Sequence, residues 1–86
     1  MVLYGKLVIG NTFIKEAKTE GTDTEKPFHD IMEEAFVLLC RQLEIPVPIW
    51  LKKNTREISR YRKTFFDKEQ FIEEVYFDKF ILEIEV

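Results

Sequence analysis

From Phe28 onward, apolar residues recur at intervals of three and four, through Ile31, Met32, Ala35, Leu39 and Leu43. Lys26, Asp30, Glu33, Glu34, Arg41 and Glu44 take the other side. That spacing returns a side chain to one helix face at every turn and predicts an amphipathic helix over about residues 24–44. Thr22 and Glu25 have the spacing of a capping box ahead of it, and Pro27 falls in the first turn, where a missing N–H costs little. The helix is expected to stop before Pro46, because Ile45 and Val47 each precede a proline, and such residues favour extended geometry. Residues 46–51 (PVPIWL) therefore read as extended, and their two prolines limit them to an edge strand or a strand start.

The two ends of the chain read as strands. Residues 2–9 and 12–17 are rich in β-branched and aromatic types, and the intervening Gly10-Asn11 pair suits the turn of a hairpin. Thr19 to Glu25 has the composition of a turn. At the far end Phe80, Leu82, Ile84 and Val86 alternate with Ile81, Glu83 and Glu85, the period of a strand with one dry and one wet face. Residues 71–77 are a second C-terminal strand candidate, with Asp78-Lys79 as a tight connection. Between these, Asn54 or Thr55 opens a short helix running to about Lys63, and residues 64–70 form a junction with no clear period. The sum is a single α+β domain over 1–86. An antiparallel sheet of three to four strands, an N-terminal hairpin plus one or two C-terminal strands, packs against one long amphipathic helix, with a second, short basic helix beside it.

Composition narrows the class. Eighty-six residues, 45% apolar and 34% charged, suffice for one small core and exclude a disordered tail. A domain this small buries about 60% of the surface its unfolded chain exposes, so a partner or a second copy would add stability. The longest apolar run, Ala35 to Cys40, falls far short of the ~20 residues that cross a bilayer, and polar Lys6 and Asn11 interrupt the N-terminus; the chain reads as soluble and unprocessed. A lone Cys40 forms no internal disulfide and fits a reducing, cytoplasmic setting.

Catalytic chemistry finds few residues to work with. One His, one Cys and one Ser are present. His29 and Cys40 lie eleven residues apart on one predicted helix, ~16 Å along its axis, beyond the contact a nucleophile and base require. Cys40 sits in an apolar run and reads as a buried hydrophobe. His29 and Glu33 at i,i+4 supply two ligands where a zinc site needs three or four, so they read as a solvated pair. The acid pairs Glu33-Glu34, Glu73-Glu74 and Glu83/Glu85 read as solubilising, and Gly5, Gly10 and Gly21 are too scattered for a phosphate loop. No catalytic residue, cofactor, metal or small-molecule substrate is expected.

Charge placement changes the picture most. Residues 52–63 hold Lys52, Lys53, Arg56, Arg60, Arg62 and Lys63 against Glu57 alone, a local +5, which leaves seven basic and fifteen acidic residues, or −8, elsewhere. On a helical wheel Arg56, Arg60 and Lys63 fall within about 60° of one another, opposite Ile58, Tyr61 and Phe65, which are expected to seat the helix on the core. The sequence thus points to a non-enzymatic binding module with Trp50, Lys52, Lys53, Arg56, Arg60, Tyr61 and Lys63 as its contact surface. Trp and Arg commonly anchor interfaces, and the basic ridge is complementary to the acidic face of helix 24–44, so the expected partner is a protein or a second copy. The alternatives are a nucleic-acid accessory protein using the same cations with Trp50 and Tyr61 stacking on bases, and an acidic decoy of a nucleic-acid-binding protein.

Overall fold

The computed structural model describes every residue except Asp23 and Thr24, so the part of the turn and helix start expected there lies outside the described residues. The fold is α+β. Strands β1 (Val2–Ile9) and β2 (Thr12–Glu20) form the N-terminal hairpin; helices α1 (Phe28–Leu43) and α2 (Lys52–Tyr61) follow, then β3 (Lys63–Asp67) and β4 (Lys79–Glu85). All pairings are antiparallel and the order is β2-β1-β4-β3, which places the last strand between the first and the third.

At the hairpin turn Gly10 takes φ +59, a left-handed conformation that costs glycine little. The register shifts between Leu7 and Val8, with Lys15 opposite Leu7 and Phe13 opposite Val8, so Ile14 is the extra residue of a bulge. Asp78 holds this corner: its carboxylate accepts from the Gly10 N–H at 2.6 Å, and its own N–H donates to the Val8 carbonyl at 2.8 Å.

One sheet face carries Leu3, Gly5, Leu7, Phe66, Phe80, Leu82 and Ile84, against which α1 lays Ala35, Phe36, Leu39, Cys40 and Leu43. Gly5 allows the close approach, since a Cβ there would stand 3.0 Å from Leu39, Leu43 and Phe80. Two side chains of β2 fix α1 along its length: the buried Thr19 hydroxyl donates to the Ala35 carbonyl at 2.8 Å, and Lys15 Nζ donates to the Leu43 carbonyl at 3.0 Å, satisfying an end the helix leaves open. The other face is half-exposed. Lysines lie over its rings, Lys6 5.1 Å from Phe13 and both Lys53 and Lys79 4.8 Å from Phe65.

Several expectations change. Helix α1 begins at Phe28 rather than near residue 24, with Pro27 in extended geometry as its cap, and a proline has no polar side chain with which to cap it. Helix α2 starts at Lys52 and ends at Tyr61, so Lys63 belongs to β3. Thr64-Phe65-Phe66 is drawn into pairing with Leu82-Ile81-Phe80, and Arg62 makes the reversal at φ 58. Of the three residues expected to seat α2, only Ile58 is buried; Tyr61 is 68% exposed and Phe65 lies on the open sheet face. Residues 71–77 form no strand. Phe71 and Phe77 are buried edge to face, centroids 5.3 Å apart, and tie the loop to the core. Val86 is exposed instead of continuing the dry face of β4.

What seats α2 is Asn54, fully buried. Its Nδ2 donates to Thr64 Oγ1 at 2.7 Å and to the Phe65 carbonyl at 3.1 Å, while its Oδ1 accepts from the Leu51 N–H at 3.0 Å and from Gln70 Nε2 at 2.9 Å. Gln70 also donates to the Ile49 carbonyl, the Ile49 N–H donates back to the Gln70 carbonyl at 2.6 Å, and Thr64 donates to Glu57 at 2.6 Å. Asn54→Ala strands the Leu51 N–H and the Phe65 carbonyl, and unfolding by urea is expected to show a loss of about 2 kcal/mol, against little change for exposed Arg60→Ala.

Cys40, 1% exposed, has its thiol pushed up to about 12 by burial. Because the folded state resists losing this proton and the unfolded state does not, the stability involved is complete below pH 9 and is lost between pH 9 and 12. Cys40→Ala is expected to flatten that part of the stability curve, and native Cys40 to resist thiol reagents at neutral pH; rapid labelling of the folded protein would contradict both.

Candidate functional site

The extended segment 46–51 leaves α1 and returns as α2, and the two helices do not close over it. Between them runs an apolar groove of about 660 Å3. Helix α1 supplies Met32, Phe36 and Val37 with His29 and Glu33 at the rim, the segment supplies Val47, Pro48 and Trp50, and α2 supplies Thr55, Ile58 and Ser59, with Arg62 just past its C-terminal end. The volume falls in the range of ligand-binding clefts.

Trp50 forms the floor. Its indole meets Phe36 edge to face at 5.4 Å and leans on Phe66 at 5.5 Å, and its Nε1 donates to Thr55 Oγ1 at 2.8 Å. Half-buried, it belongs to both core and groove. Because both neighbours and the N–H are engaged, the ring is fixed in place, which lowers the ordering cost of any contact made on it.

The two walls differ in charge. On α1, His29 Nδ1 lies 3.6 Å from Asp30 and 3.8 Å from Glu33. On the α2 side, Arg62 faces the groove while Lys52, Arg56 and Arg60 are exposed, and among the described residues none of these four has a carboxylate in ion-pair range.

The structure divides the seven residues singled out in the sequence. Trp50 lies in the groove, and Lys52, Arg56 and Arg60 line the exposed side of α2. Lys53 sits over Phe65, Lys63 is bound to Glu83 at 3.3 Å, and exposed Tyr61 borders a separate shallow hollow of about 280 Å3 with Phe65 and Ile81. Trp50 and Tyr61 therefore do not act on one surface. Sequence reasoning missed Met32, Phe36, Val37, Val47 and Arg62 as groove residues. The signal present was the apolar run 35–40, which is wider than a single buried stripe requires and leaves Val37 and Leu38 36% and 46% exposed.

His29 and the single Ser59 stand on opposite walls, and among the described residues no hydrogen bond joins them, whereas an activated nucleophile needs its base within about 3 Å. Ligand atoms of His29, Asp30 and Glu33 lie within 4.8 Å of one another, three donors where the i,i+4 spacing alone indicates two. All three side chains are exposed at a helix N-terminus, where the partial positive charge favours the carboxylates themselves and opposes a cation.

Comparison with protein-family models found no match, and comparison with curated proteins and with solved structures found no significant one, so the reading of this groove rests on its own geometry.

Proposed function

We propose that this chain is a non-enzymatic protein-binding module that takes the apolar side chains of an acidic protein segment into the α1–α2 groove. The observation that carries the proposal is the conjunction of an apolar cleft floored by a fixed Trp50 with four cations on one wall and its flank, none of which has an intramolecular carboxylate partner among the described residues. Apolar contact supplies affinity, and the cations select and steer an acidic partner.

The nucleic-acid alternative draws less support. Of its contributors, Lys63 is engaged by Glu83, Lys53 lies over Phe65, and Trp50 and Tyr61 border separate hollows, so they would not stack together on one strand. The acidic remainder of −8 further opposes a polyanion. For the decoy alternative, the acids are spread over the chain with no continuous run.

Trp50 is the single tryptophan, so its emission reports directly on the groove. Selection from a phage-displayed peptide library is expected to recover sequences that combine Asp or Glu with Leu, Ile, Phe or Trp. The synthetic peptides should shift Trp50 emission, and Arg56→Glu with Arg62→Glu should weaken binding about tenfold or more. Basic selected sequences, binding undiminished in Val37→Asp, or retention of single-stranded RNA in preference to every peptide would overturn the proposal.

A further inference from the structure

We infer that the groove's partner is a second copy of this chain, docked about a two-fold axis that runs along the groove; the inference rests on the protein-binding reading above and names its occupant. The argument is the self-complementarity of one surface. An isologous interface requires that a patch fit itself after a half-turn, so each attractive group must have its counterpart elsewhere in the same patch. Here Glu33 stands on the α1 wall and Arg62 on the α2 wall, with exposed Asp30 beyond the first and Lys52 and Arg56 beyond the second.

A half-turn about an axis along the groove lays the acidic wall of one copy against the basic wall of the other. Glu33 then meets the second copy's Arg62, and the same pair forms again on the other side of the axis. Val37 and Val47, 36% and 50% exposed at the groove, would pack near the axis over Trp50. The match uses the cations that lack an intramolecular partner and leaves alone Lys63, which Glu83 already holds. Size adds a reason: an 86-residue domain buries a smaller share of its surface than a large one, and a second copy covers more of it.

Light scattering on the full chain is expected to give twice the 10.3 kDa mass, with Trp50 emission shifting as the protein is diluted. Glu33→Arg alone and Arg62→Glu alone each set like charges face to face at both ends of the interface and should yield monomers with unchanged circular dichroism. Mixed in equal amounts, the two variants should form the dimer again. At one end the arginine introduced by the first substitution meets the glutamate introduced by the second, and at the other the unaltered Arg62 meets the unaltered Glu33. That rescue distinguishes a direct contact from a general loss of stability. A wild-type chain monomeric at millimolar concentration, single variants that stay dimeric, or a mixture that stays monomeric would each overturn the inference. Peptide binding reported by Trp50 is measured separately, so a monomer that still takes acidic peptides would end the dimer and leave the docking groove standing.

Discussion

A single buried amide joins the four pieces on which the groove side of the fold depends. Asn54 uses both Nδ2 hydrogens and both acceptor directions of Oδ1, and through Leu51, Thr64, Phe65 and Gln70 it joins the segment 46–51, the start of α2, strand β3 and the 3-10 turn at Lys68–Gln70. A polar group with no exposed surface is stabilising only when all of its bonds are made, so the node admits one arrangement of these four pieces. Among the described residues no buried side-chain nitrogen or oxygen lacks a partner, in keeping with such a network.

The groove follows from that constraint. Helix α1 is placed by apolar packing over Gly5 and by the Thr19 and Lys15 bonds, whereas α2 is placed by Asn54 and Ile58 against β3. Two helices positioned by different strands need not meet, and here the gap between them is floored by Trp50. Since α2 turns Asn54 and Ile58 inward, Lys52, Arg56 and Arg60 are turned outward, beyond the reach of the sheet's own carboxylates. Lys63, one residue past the left-handed Arg62, enters the sheet and is neutralised there.

How far the sequence revealed this depends on which force decides each element. Period alone exposed α1 and β4, because each is governed by one dry face, and the N-terminal hairpin was legible from its β-branched and aromatic residues and the Gly10-Asn11 turn. It failed at α2 and β3, where a wheel treats Lys63, Phe65 and Ile58 as one helix although a long-range pairing of Thr64–Phe66 with β4 cuts the helix short. Strand order was hidden for the same reason, since it depends on pairing partners far apart in the chain. Asn54 read as a cap near a helix start. Its contacts with Thr64 and Gln70, ten and sixteen residues away, have no local signature. The cationic ridge was legible as charge density, but the groove it borders was not, because Val37, Val47 and Arg62 come from three different elements.

The most direct test of the central claim is amide chemical-shift mapping of the chain titrated with an acidic amphipathic peptide. The expected result is a set of shifts confined to the groove face of α1, segment 46–51 and α2, with the Trp50 indole N–H among the largest. Shifts centred instead on Tyr4, Phe65 and Lys79 of the open sheet face, with the indole unmoved, would contradict it.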